Sequence, residues 1–159
     1  LGILLGDTMA TVEYRPTGRV NPRHTEFSLL GDLLQAHIRS GSDLAALATE
    51  RVGVDVIDRL GEHGLKADEL LFIIPRRTLS HRRQNGERLS TDESDKAIRL
   101  ARIVAQAETV FGNPEKAMNW LRGKKERFAG KTPLEMASTE HGARLVEDTL
   151  VQIDEGYFA

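Results

Sequence analysis

From Phe27 onward, apolar residues recur at three- and four-residue spacing, and no stretch alternates apolar and polar over the length of a strand. The pattern predicts an all-α chain. The first helix is expected over Phe27 to Arg39, carrying Leu29, Leu30, Leu33 and Leu34. Ser40-Gly41 breaks it, and Ser42 or Asp43 caps a second helix through Glu50. A third has Val56, Ile57 and Leu60 as its inner stripe and ends near Gly61 to Gly64. A short helix follows around Ala67 to Ile73, then a tight connection at Ile74-Pro75 and a helix from Arg76 to about Gln84, stopped by Asn85-Gly86. Ser90-Thr91-Asp92-Glu93 is a capping box that opens a long helix with Ala97, Leu100, Ala101, Val104, Ala107 and Phe111 on one stripe. Gly112 ends it. Asn113-Pro114 starts the next helix, with Ala117, Met118, Trp120 and Leu121, and Thr132-Pro133-Leu134-Glu135 starts another. The last runs from about Glu140, with Val146, Leu150 and Ile153 inward, and stops before Gly156. Trp120 and Phe111 are expected in the core.

Composition narrows the chemistry. The 159 residues contain no cysteine, which excludes disulfides and thiolate metal sites. His24, His37, His63, His81 and His141 are not grouped at ligand spacing, so no metal is expected. Gly130-Lys131-Thr132 ends like a phosphate loop but lacks the upstream glycine and the preceding strand. No nucleophile has an evident base, so neither catalytic residues nor a cofactor are predicted. Leu1 to Leu5 is apolar but too short to span a membrane and lacks a basic flank, and a cytoplasmic chain with no membrane partner is expected. Residues before Met9 read as additions to the native chain, with residues 1–26 as a disordered N-terminal segment.

The net charge of −2 conceals two opposed regions. Between Pro75 and Arg88, five arginines (Arg76, Arg77, Arg82, Arg83, Arg88) stand against Glu87 alone. Between Pro133 and Ala159, Glu135, Glu140, Glu147, Asp148, Asp154 and Glu155 stand against Arg144 alone. A basic middle suits phosphate, and an acidic end suits a protein. Two short helices joined at Ile74-Pro75, with Ile74 and Leu79 inward, have the outline of a helix-turn-helix reader. Its DNA-facing residues would be Arg76, Arg77, Thr78, Ser80, His81, Arg82 and Arg83. The alternative is that these arginines form a solvated helix face. Asp92-Glu93 and Asp154-Glu155 are read as helix-terminal, solvated carboxylates, with a partner-facing role open for the second pair. Tyr157 and Phe158 either anchor a partner or fold back onto the core.

The stretches "RTLSHRR", "ESDKAIRLARIVAQAE", "VFGNPEKAMNWL", "TPLEM" and "GARLVEDTLVQIDEGYFA", spread over roughly Gly53 to Ala159, resemble the Xre/MbcA/ParS-like antitoxins, particularly those paired with RES-domain toxins. That resemblance implies an Xre-like helix-turn-helix and self-association module over 27–86 and a C-terminal helical toxin-binding domain over 87–159. It implies an antitoxin that occludes the active site of an NAD-consuming RES toxin and represses its own operon. The partners would be the toxin, operator DNA and a second copy, in a homodimer and a hetero-oligomer with toxin. Toxin contacts are expected at Arg144, Asp148, Gln152, Asp154, Glu155, Gly156, Tyr157, Phe158 and Ala159. A stand-alone regulator whose second domain only dimerises, and an enzyme, are the competing classes.

Overall fold

A computed structural model describes residues 22–156, so the expectations for residues 1–21 and for Tyr157, Phe158 and Ala159 lie outside the described residues. Within them the chain forms eight α-helices and two 3-10 turns, with no strand. The helices are α1 (Pro22–Leu34), α2 (Gly41–Glu50), α3 (Asp55–Glu62), α4 (Arg76–Gln84), α5 (Thr91–Phe111), α6 (Pro114–Arg122), α7 (Pro133–Met136) and α8 (Glu140–Asp154). The turns are Ala67–Leu70 and Glu126–Phe128.

The local signals act as the sequence predicts at α5. Ser90 Oγ accepts from the Glu93 N–H at 3.1 Å, and the Glu93 carboxylate accepts from the Ser90 N–H at 2.7 Å. Gly112 takes φ 83° and ends the helix. Asn113, Thr132 and Thr139 likewise accept from backbone N–H groups at the starts of α6, α7 and α8.

Three local expectations are corrected. Helix α1 begins at Pro22 and ends at Leu34, not Arg39, because Gln35 turns left-handed (φ 52°) and the Ala36 N–H closes back onto the Gly31 carbonyl at 3.1 Å. Ser40, not Ser42 or Asp43, is the N-cap of α2, and Asp43 accepts from the Arg39 N–H from inside the first turn. The short helix expected over Ala67 to Ile73 is only a 3-10 turn. Pro75 bars Ile74 from helical geometry, and bonds such as Ile73 N–H to the Leu70 carbonyl span three residues rather than four.

Helix α5 is the axis of the molecule. Its stripe was read as one face, but Ile98, Ile103 and Ala105 are buried as well as Ala97, Leu100, Ala101, Val104 and Ala107, so it is enclosed nearly all round. Helices α1, α2 and α3 pack on it from the N-terminal half, and α6 and α8 from the C-terminal half. One continuous core results, from Leu30 to Leu150. The alanines let neighbouring backbones approach, and Gly142 does the same at α8, where a Cβ would collide with the Met136 carbonyl. The junction expected between 27–86 and 87–159 is itself packed: Leu89 is fully buried, its N–H bonds the Val52 carbonyl at 2.9 Å, and Ser94 Oγ accepts from the Val52 N–H. Phe111 and Trp120 are half-buried against this core, their ring centroids 5.7 Å apart.

Candidate functional site

Helix α4 is mounted on the surface. Leu79 is its one apolar residue, and none of its residues is fully buried. At about 100° per residue, Thr78, Leu79 and Arg82 share the inner side, and all three are half-buried. Ile73 and Ile74, both buried, hold the start of the helix.

The five arginines that looked alike in sequence separate into two kinds. Arg82 Nε stands 3.0 Å from Glu93 Oε1, off the line of a hydrogen bond, while its terminal nitrogens reach Glu93 and Glu87 at 3.3 Å. It pins α4 to the start of α5. Burial disfavours ionisation of Glu93, but the Ser90 N–H and Arg82 outweigh it and hold the carboxyl below its ordinary range. Arg83 donates two bonds to Asp58 on α3, at 2.9 and 3.2 Å. Arg88 donates to the Arg51 carbonyl at 3.2 Å. Arg76 and Arg77 are exposed and enter no ion pair among the described residues. Ser80 and His81 are exposed beside them, with His81 Nε2 3.0 Å from Asn85 Nδ2. Of the residues expected to face DNA, the structure therefore gathers Arg76, Arg77, Ser80 and His81 on the outer side. It turns Thr78 and Arg82 inward and engages Arg83 with Asp58. Gln84, missed in the sequence reading, completes the outer side; its seven-residue offset from Arg77 carried the signal.

The acidic end divides in the same way. Arg99 binds Glu140 at 3.0 Å and Arg102 binds Glu147, so these two carboxylates stitch α8 to α5, while Asp95, one turn before Arg99 on α5, steadies the Arg99 guanidinium at 3.1 Å. Gln106 adds a bond to the Glu147 carbonyl at 3.1 Å. What remains outward on α8 is Arg144, Asp148, Gln152 and Glu155 on one face, with Asp154 exposed to one side. The same outer face holds Leu145, 52% exposed, and Val151, 45% exposed, which flank Asp148. A shallow depression of about 430 Å³ is lined by Asp148, Val151, Gln152 and Glu155. Sequence reasoning missed Leu145 and Val151, although both fall off the inner stripe of Val146, Leu150 and Ile153. Asp154 and Glu155 sit at the C-terminal end of α8, where the helix dipole opposes negative charge. Helix-terminal electrostatics therefore suits Asp92 and Glu93 in the first turn of α5 but not this second pair. Gly156, at φ 84°, bonds back to the Ile153 carbonyl and redirects the chain.

The two surfaces belong to one body, and the loop before α4 is gripped from the far half. Arg122 on α6 donates to Glu69 at 2.7 and 3.0 Å and to the Gly64 carbonyl. Its guanidinium holds the Glu69 carboxyl below the usual range, and Glu69 in turn raises Arg122. His63 Nδ1 lies 2.7 Å from Glu108 Oε1, and Gly64, at φ 108°, packs close to Met118.

Each surface falls within a stretch that matches a known domain family. Residues 43–102 match the Antitoxin Xre-like helix-turn-helix domain, and residues 106–156 match the Antitoxin Xre/MbcA/ParS C-terminal toxin-binding domain. The chain is 51% identical over 85 residues to a protein named Antitoxin Xre from Pseudomonas putida, covering 54% of each chain. It is 31% identical over 91 residues to the Prs ADP-ribosylating antitoxin of a Sphingobium species, covering 52% of this chain and 57% of the relative. An Antitoxin Xre from Photorhabdus laumondii is 29% identical over 121 residues, 74% of this chain and 82% of the relative. The matched stretch thus spans little more than half the length of the first two relatives. No helix among the described residues is long and apolar enough to cross a membrane. With α4 carried by the first domain and α8 by the second, the chain belongs to the Xre/MbcA/ParS antitoxins.

Proposed function

We propose that this chain is the antitoxin of a RES-domain, NAD-consuming toxin. It engages the toxin through the outer face of α8 and the residues that follow, blocks the active site, and represses its own operon through α4. The observation that carries this reading is the exposed pair Leu145 and Val151 around Asp148, on a helix whose carboxylates Glu140 and Glu147 are already paired internally. Apolar side chains left bare between charged neighbours are what a protein interface covers. Asp154 and Glu155, disfavoured by their own helix, gain from a cationic partner surface such as one that receives the phosphates of NAD. The reader lies within 27–86, and the toxin-binding part within 87–159. A second copy fits the apolar groove of about 500 Å³ beside α4, where Leu71 is exposed on the rim. The work of such a protein is binding, carried out in the cytoplasm without catalysis or cofactor.

The test is reconstitution with a purified RES-domain toxin. Leu145→Asp and Val151→Asp should each weaken association at least about tenfold. Removal of Gly156 to Ala159 should leave the complex assembled but restore NAD consumption. Full inhibition by the double aspartate variant would place the toxin on another surface.

A further inference from the structure

Helix α4 presents a single outward face on which Arg77 is followed by Ser80 and His81, three and four residues on, and by Gln84, seven residues on. Their capacities differ. Ser80 is short, and the His81 Nε2 is held beside Asn85 Nδ2. Arg77 and Gln84 are long and exposed, and neither enters a side-chain hydrogen bond or ion pair among the described residues. Arg83, the nearest other cation on the helix, already spends its fork on Asp58. Resting on the reading of α4 as a DNA reader, we infer that Arg77 and Gln84 are its two base-specifying residues, for a guanine and an adenine about three base pairs apart.

The chemistry assigns the bases. A guanidinium matches the O6 and N7 acceptors of guanine, and a carboxamide, with one donor and one acceptor, matches N6 and N7 of adenine. The spacing assigns the distance. Seven residues at 1.5 Å rise separate Arg77 from Gln84 by about 10.5 Å along the helix, which is about three steps of 3.4 Å along DNA. Ser80 and His81 lie over the intervening pairs and discriminate less. Arg76, at the edge of this face and on the rim of the neighbouring groove, takes a backbone phosphate and carries no sequence information. Two other arrangements of cationic side chains are removed from contention by the fold: Arg82 faces Glu93, and Arg88 faces backbone carbonyls.

The experiment selects bound duplexes from a library of double-stranded DNA with a randomised core, using the full chain and three variants. The wild-type chain should enrich a G·C and an A·T pair three steps apart. Arg77→Ala should lose the guanine preference alone, and Gln84→Ala the adenine preference alone, each by about tenfold in relative affinity for the preferred base. Gln84→Arg should move the second preference from adenine to guanine. Both positions are exposed, so melting temperatures should match wild type, and the gain of a guanine by Gln84→Arg cannot come from a damaged fold. An unchanged motif in Gln84→Ala, or preferences at adjacent rather than separated positions, would overturn the assignment. Duplex binding without any enriched motif would refute the base assignment and leave the DNA reading standing. Absence of duplex binding by the wild-type chain would remove both.

Discussion

The contact between His63 and Glu108 joins the half that carries α4 to the half that carries α8. His63 caps α3, one residue before the Gly64 turn, and Glu108 lies near the end of α5 with its side chain only 5% exposed. The 2.7 Å contact to His63 Nδ1 is its one side-chain bond among the described residues. His63→Ala therefore leaves a buried carboxyl without its hydrogen-bond partner, a change that costs about 3 kcal/mol. Unfolding entropy of roughly 2.1 cal/mol/K per residue makes each such kcal/mol worth about 3 °C for a chain of this length, so the melting temperature should fall by about 10 °C. Circular dichroism melting and urea titration measure it. The second arm removes the stranded polar group: Glu108→Leu added to His63→Ala should recover most of the loss, because replacing both partners of a buried hydrogen bond by apolar groups is often nearly neutral. A His63→Ala chain that melts within about 2 °C of wild type would refute the reasoning, as would a double variant no more stable than the single one.

Two further predictions concern charges that the fold has sorted. Arg76→Ala should reduce the slope of log affinity against log salt by about 0.9, and Arg83→Ala should leave it unchanged because Asp58 already holds that side chain; equal slopes for the two variants would undo the sorting. For Glu69, the folded carboxyl is held below its ordinary 4.5 chiefly by Arg122, so the stabilisation is complete above that value and is lost as pH falls through and below it. Glu69→Gln should flatten the acid limb of melting temperature against pH, and an unaltered limb would show that other carboxylates set it.

The two candidate surfaces share one core. Both domain matches contribute to α5, the first ending at residue 102 and the second starting at 106, so the boundary falls inside a helix that is buried nearly all round. A substitution there is felt at both surfaces. Surface-mounted α4 and the outer face of α8 can instead be altered separately, which is why the proposed tests use them.

The capping box at Ser90 and Glu93, the stops at Gly112 and Gly156, and the apolar stripes of α5 and α8 were legible in the chain, because each is set by residues within one or two turns of one another. The "RTLSHRR" and "GARLVEDTLVQIDEG" segments also pointed to the family that the domain matches show. Tertiary structure decided which charges are free. Arg82 and Arg83 find Glu93 and Asp58, 11 and 25 residues away, and Arg99 and Arg102 find Glu140 and Glu147, 41 and 45 residues away. No local count of charges contains those pairings, since an ion pair is formed by whichever groups the packed helices bring within reach. Leu145 and Val151 follow the same rule. Their side chains are as apolar as those of Val146 and Leu150; helical spacing separates the two pairs, and the packing of α8 against α5 buries the second and leaves the first to water.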